Sequence, residues 1–505
     1  MFHAPTGDLQ TDGAFVMPTH NGIWNMSWIR QTGSGRCHPR PAWLVLAALF
    51  SSLLPGPVLA LSQFMPPRAN DRIAIVAPHP DDEVLATGGL IQQAVAVGAQ
   101  VKVIYLTNGD HNQANFRFFS RHQHVVPDIL TLGEQRRSEA LDAMQLLGLT
   151  PENLTFLGYP DWWTMRLWQD YWDDDTVLYN NATDSTDVPY PENYGYRHTY
   201  RADSVIDDLY EVLHEFKPTR VFVTHPYDTN LDHRATANFV QLALLQLNAE
   251  GIRPSLSFYI VHFANWPTPL QYRPTLALEA PPTLRGDDAW LALPLTREQV
   301  DRKYHATLTN LTQVATQRSF LTAFTRANEI FANARTPAIP LLPAQAKLDW
   351  TKAVHLRALM VLPAQSGYET NGVAVLPSTT AATSLERIDL LRQEDALIVQ
   401  INSRNLNGRQ GGVRLCLFGG KQDIDFTSLP KVQINITPDG RLSVAADHEA
   451  VEDSGVTITN AATHMILRVP LKLLGGADID YLFTSALAYF GAAITADTAW
   501  HLLRL

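Results

Sequence analysis

The stretch Ile73–Glu83 reads IAIVAPHPDDE, and its reading decides the fold. An apolar, β-branched run stops at the turn Pro78-His79-Pro80. The acids Asp81, Asp82 and Glu83 follow at once, and then Val84, Leu85, Gly88, Gly89 and Leu90. This order predicts a buried strand feeding a helix, with a polar cluster in the joint. In open α/β sheets the joint at the carboxyl end of a strand is where ligands sit. His79 and Asp82 are three residues apart, so one helical turn can aim both at a single point. A neutral imidazole with an oxygen donor suits zinc, and two protein ligands call for a third from elsewhere in the chain. Acids that merely complement a helix N-terminus are the plainer reading. That reading accounts for the acids but not for a His-Pro wedged ahead of them.

Working outward, the 505 residues are too many for one ordinary core and predict two or three domains. A formal net charge of -11 leaves no basic stripe and argues against a nucleic-acid partner. Cys37 and Cys416 are the only cysteines, which excludes a disulfide framework and a cysteine metal site. Residues 1–60 read as an export signal. Arg36 and Arg40 precede an apolar run from Trp43 to Leu54, and Val58-Leu59-Ala60 has the small residues of a cleavage site. Pro55 and Pro57 break the run before it becomes a comfortable membrane span. The expectation is an exported protein, periplasmic or extracellular; an uncleaved membrane anchor is the alternative.

From residue 71 to 263 strands and helices alternate. Ile73–Ala77, Val101–Leu106, Leu154–Leu157, Val221–Thr224 and Leu256–Val261 read as strands. Leu85–Val97, Glu134–Leu147, Val205–Phe216 and Ala235–Leu247 read as helices. Such alternation implies a mostly parallel sheet with helices on both faces. No Gly-x-Gly-x-x-Gly follows the first strand, which disfavours a dinucleotide. Residues 161–201 interrupt the pattern with an aromatic-rich insertion containing Trp162, Trp163, Trp168, Trp172, Tyr190, Tyr194 and Tyr196. These rings either stack on sugar or only pack the insertion onto the domain. Residues 264–345 read as a Pro-rich linker followed by a helical extension over Thr296–Ala334. From 349 to 505, short strands separated by Asn-Gly, Gly-Gly and Asp-Gly turns predict an antiparallel β-sandwich.

A third metal ligand belongs on another strand end of the same rim. His233, in the stretch His225–Arg234 after the fourth strand, is the candidate, with His225 and Asp228 as competitors. Together these residues resemble the PIG-L/LmbE family of zinc-dependent N-acetylglucosaminyl de-N-acetylases. The resemblance is carried by APHPDDE at 77–83, LTNGD at 106–110, Arg136-x-x-Glu139, LGYPD at 157–161 and LDHRA at 231–235. It implies an α/β, Rossmann-like three-layer domain ahead of the helical segment and the sandwich. It also implies zinc (Zn2+) on His79, Asp82 and His233, with Asp81 as general base. Arg136, Asp161 and Trp162 are the candidate substrate contacts. The family commonly has a His where this chain has Asn230, and Asn cannot serve as a general acid. Asp81 would then shuttle the proton back, or His262 or His225 would supply it.

The expected function is an exported zinc-dependent hydrolase that removes N-acetyl groups from N-acetylglucosamine-type sugars or glycoconjugates by metal-activated water. The expected partner is that N-acetylated sugar; the C-terminal sandwich is open to a structural role, which is favoured, or to further glycan contact. Two alternatives stand beside it: a non-catalytic glycan-binding protein on a hydrolase scaffold, and an amidase acting on a non-sugar amide.

Overall fold

The computed structural model describes residues 61–111, 128–173, 175–286, 288–360, 384–404, 411–437, 440–461, 464–490 and 493–505. The expected export signal at 1–60 lies outside them. Residues Leu61–Leu505 group as one compact unit. Its first part, in chain order, is β1 (Ser62–Gln63), β2 (Arg72–Ala77), α1 (Asp82–Ala96), β3 (Gln100–Thr107) and α2 (Ile129–Leu146). Then come β4 (Leu154–Tyr159), α3 (Thr164–Asp170), α4 (Ala202–Phe216), β5 (Arg220–Thr224), α5 (Leu231–Ala249) and β6 (Ser255–Tyr259). β7 (Trp290–Pro294), α6 (Arg297–Thr309), α7 (Leu311–Thr322) and β8 (Asn328–Asn333) complete it.

The sheet order is β1-β7-β8-β6-β5-β2-β3-β4. Strands β6, β5, β2, β3 and β4 run parallel, and β8 pairs antiparallel with both β6 and β7. Ile73 to Ala77 are all fully buried, as a central strand covered on both faces requires. After β2 the chain winds outward through β3 and β4, then returns to place β5 on the other side of β2. The crevice between the carboxyl ends of β2 and β5 is therefore a topological switch point, where such sheets bind ligands.

One expectation gives way here. The stretch read as a linker and helical extension puts two strands, β7 and β8, into this sheet, and Ile330-Phe331 lie in β8 rather than in a helix. A short buried strand is a run of apolar residues that periodicity cannot tell from a buried helix turn. The two helices of this stretch do form, and α6 packs closely on α1. A Cβ on Gly88 would meet the Lys303 side chain at 3.2 Å, and one on Gly89 would meet Leu295 at 2.3 Å. Buried Glu329 ties the elements together. It accepts from Lys303 Nζ at 2.7 Å and from the Gly89 and Leu90 N–H groups at 2.6 and 2.9 Å.

The rest of the chain forms antiparallel-rich sheets. One contains β10 (Val354–Arg357), β12 (Ser384–Gln393), β13 (Ala396–Arg404), β19 (His464–Pro470) and β18 (Thr457–Asn460), with β9 (Leu341–Leu342) parallel to β12. The other contains β11 (Leu359–Met360), β21 (Ala493–Asp497), β20 (Tyr481–Phe490), β14 (Gly411–Gly420), β15 (Lys431–Ile436), β16 (Leu442–Ala446) and β17 (Glu449–Ala450). β22 (His501–Arg504) pairs with β20. Ile388, Leu390 and Val399 of the first sheet share an apolar cluster with Val413, Leu415 and Leu482 of the second.

The aromatic insertion joins this part to the α/β sheet. Trp168 of α3 is fully buried. Its ring lies 4.9 Å from Phe483, 5.8 Å from Trp500 and 5.3 Å from Phe239 of α5, all edge-on. Trp172 and Tyr190 are buried as well. For these three rings the packing alternative is the one realised, and no face is left for a sugar. Trp168→Ala should therefore destabilise the protein by about 3–5 kcal/mol in urea unfolding. A loss under about 1 kcal/mol would contradict this packing role.

Candidate metal centre

β2 ends at Ala77, and Pro78-His79-Pro80 carries the chain to Asp81, which sits at φ 132° and ψ -31°. A non-glycine residue held in that region stores on the order of 1–3 kcal/mol of strain, and such strain gathers at functional sites. Glu83 Oε2 accepts the Asp81 N–H at 3.0 Å and fixes this turn. Asp82 then opens α1. Its Oδ2 accepts the His79 N–H at 3.1 Å and lies 3.2 Å from His79 Nδ1. Across the switch point, Asn230 caps α5 by accepting the Asp232 N–H at 2.8 Å, which places His233 in the first helical turn.

These two joints converge. His233 Nε2 is 3.1 Å from Asp82 Oδ2 and 3.3 Å from His79 Nδ1. Zinc bonds of ~2.0–2.1 Å at tetrahedral angles put donor atoms about 3.3 Å apart. The three donors thus fit one divalent cation on both spacing and chemistry, and all three residues are buried.

The surroundings favour positive charge. Burial opposes protonation of His79, yet Asp161, Asp232 and Asp82 outweigh it and raise its pKa well above the usual imidazole value. Burial likewise opposes protonation of His233, but Asp228 and Asp82 lift its pKa to about 9. Asp82 is buried too, and the two imidazoles hold its carboxyl well below the usual range. Burial lifts the Asp81 carboxyl to about 7, against the opposing pull of Arg136.

Each expected site residue has a definite place. Asp228 orients rather than competes: its Oδ2 is 3.1 Å from His233 Nδ1 and accepts the Val261 and His262 N–H groups at 3.0 and 2.9 Å. His225 is turned away, with Nε2 2.9 Å from Asp288 and its ring stacked on Trp290. Arg136 is buried and donates to Gly109 O at 2.6 Å and Pro80 O at 2.7 Å, with Asp81 Oδ1 3.5 Å away. Gly109 permits this at φ +64°, because a Cβ there would lie 2.2 Å from Arg136 Nη1. The guanidinium is thus committed to the Asp81 turn. Asp161 lies 3.1 Å from His79 Nε2 and accepts the His111 N–H at 2.9 Å. Trp162 is half-buried at φ 73°, with its N–H on Asp232 at 2.8 Å. The His262 ring stands 4.8 Å from His233 and stacks on Phe320. Burial, then His233, push its pKa down to about 4, which disfavours the imidazolium form that a general acid needs at pH 7.

Two residues escaped the sequence reading. Asp232 is buried and faces His79 Nε2 at 3.4 Å, and Thr164 donates to its Oδ1 through both N–H and hydroxyl. Asp232 stands beside His233 in LDHRA, a signal readily taken for a helix-starting acid. Thr164 carried no signal at all.

The fold and the site define an α/β protein with a two-histidine, one-carboxylate centre at its sheet's switch point. Residues 74–244 match the family described as PIG-L: GlcNAc-PI de-N-acetylase. A similar relative is the 1D-myo-inositol 2-acetamido-2-deoxy-alpha-D-glucopyranoside deacetylase 1 of Saccharopolyspora erythraea. The two are 30% identical over 176 residues, covering 33% of this chain and 50% of that protein. The chain spans about half the length of the curated relatives it matches. Similar solved structures include the N,N'-diacetylchitobiose deacetylase from Pyrococcus horikoshii, at 18% identity and a TM-score of 0.32, covering 51% of this chain and 82% of that one. Another is the A40926 pseudoaglycone deacetylase Dbv21, at 18% identity and a TM-score of 0.34, covering 52% of this chain and 97% of that one.

His79→Ala and His233→Ala should each abolish stoichiometric metal binding by the purified protein, as measured by mass spectrometry of the metal after dialysis. Asp81→Asn should retain the metal. Both histidine variants staying fully loaded would contradict the assignment.

Proposed function

We propose that the protein is a zinc-dependent hydrolase that removes the N-acetyl group from N-acetylglucosamine-type sugars or glycoconjugates. The observation that carries this reading is the convergence of His79, Asp82 and His233 on one point, with Asp81 beside them. The PIG-L match and the acetamido sugar in the relative's name support the substrate class. The division of the chain belongs to the same proposal: an exported protein, with a signal at 1–60, a three-layer deacetylase domain from 71 whose sheet takes in β7 and β8 of the stretch 264–345, and a β-sandwich over 349–505.

His79, Asp82 and His233 would hold the cation, which when bound supplies Lewis acidity to an amide carbonyl and lowers the pKa of a water towards ~7. Asp81, steadied by Arg136 and Glu83, takes the proton of the attacking water as general base. Asp81 then returns that proton to the departing nitrogen, because Asn230 has none to give and His262 is neutral. The carbon–nitrogen bond breaks, giving acetate and a free amino sugar. Trp162, half-buried beside the centre, is the aromatic ring of the insertion best placed to meet a sugar.

Asn230 favours a second reading: a glycan-binding protein without turnover. Acetate release from N-acetylglucosamine oligomers, assayed beside a panel of other N-acetyl amides, separates the readings. Release lost on chelation and restored by zinc is expected, and Asp81→Asn should lower kcat at least ~100-fold. Saccharide binding without release by the fully loaded protein would overturn the hydrolase reading. Release from non-sugar amides alone would overturn the substrate class.

A further inference from the structure

We infer that Asp161 and Asp232 act together as positioning residues that set the tautomer of His79, and so make Nδ1 its metal-binding atom. This deepens the metal-centre reading and rests on it. His79 Nε2 faces two carboxylates, Asp161 Oδ1 at 3.1 Å and Asp232 Oδ2 at 3.4 Å. Ionised carboxylates only accept hydrogen bonds, so the ring proton is drawn to Nε2. The lone pair is then left on Nδ1, the atom that meets Asp82 and His233. A ligating histidine oriented through its other ring nitrogen is a general device of metal sites.

Both carboxylates are anchored by other donors, so neither can swing away at little cost. Asp161 Oδ2 accepts the His111 N–H at 2.9 Å. Asp232 Oδ2 accepts the Trp162 N–H at 2.8 Å, and its Oδ1 accepts the Thr164 N–H at 3.2 Å and the Thr164 hydroxyl. Asp161 follows β4 and Asp232 lies in the first turn of α5, so two separate elements fix one ring. The arrangement also gives the segment from Asp161 to Thr164 a task distinct from substrate contact: it holds a metal ligand through an intermediary carboxylate. Asp161, expected as a substrate contact, is reassigned by this inference to the metal centre.

The test measures zinc affinity by chelator competition for wild type, Asp161→Asn, Asp232→Asn and Thr164→Val. Nitrogen-15 NMR of the zinc-loaded proteins reports which His79 nitrogen keeps its proton and which one binds the metal. Wild type should bind one zinc and show the Nε2-protonated ring. Asp161→Asn and Asp232→Asn should each weaken zinc about 10–100-fold and change the tautomer signal while thermal unfolding stays cooperative. Thr164→Val removes only the hydroxyl that anchors Asp232, so it should weaken zinc by a few-fold and keeps the inference falsifiable if an aspartate variant misfolds. Unchanged affinity and tautomer in the folded variants would overturn it. Two zincs in wild type, with the second lost in the variants, would also overturn it, by making these carboxylates ligands. A wild type that binds no zinc sinks the metal reading itself, and this inference with it.

Discussion

Everything at the switch point depends on one carboxylate oxygen, Asp82 Oδ2, lying within 3.2 Å of two imidazole nitrogens in a buried site. Burying Asp81, Asp82, Asp161, Asp228 and Asp232 together is costly unless positive charge and donors answer them. The chain supplies two imidazoles, one guanidinium and a set of backbone N–H groups, and a divalent cation held by His79, Asp82 and His233 would complete the balance. The need for those donors explains local features that look unrelated. Asp81 adopts a strained backbone, Gly109 lacks a Cβ so that Arg136 can pass, and Asn230 caps α5 so that His233 faces inward.

The supports of the centre reach far along the chain. Glu139 of α2 accepts the N–H and hydroxyl of Thr312 in the first turn of α7, and the Phe320 ring of that helix lies on His262. Arg234, next to His233, donates to Asp228 O and pairs with Asp497 of β21. Trp168, four residues after Thr164, sits among the rings of Phe483 in β20 and of Phe426 and Trp500 in the turns beside that sheet. The C-terminal strands therefore brace α5, which carries His233, and the segment after β4 that faces His79, which gives them a physical task whether or not they touch a glycan.

Much of this was legible in the sequence, for identifiable reasons. The parallel strands are continuous apolar runs and their helices carry clear stops, so β2 to β6 were readable in order. HPDDE was readable because few other demands place His-Pro between a strand and three acids. β7 and β8 were not, because a short buried run carries no period and proline-rich flanks read as linker. The aromatic insertion was ambiguous for a different reason. A tryptophan in a core and a tryptophan under a sugar have the same composition signal, and only burial shows that Trp168 belongs to a core. Asp232 was hidden because its partners, Thr164 and His79, are close in space and distant in sequence.

The most direct measurement is anomalous diffraction at the zinc edge from crystals of the zinc-loaded protein. A single peak bounded by His79 Nδ1, Asp82 Oδ2 and His233 Nε2 is expected. A peak on the Nε2 side of His79, among Asp161 and Asp232, would contradict it, and so would a zinc-loaded protein with no peak at the switch point.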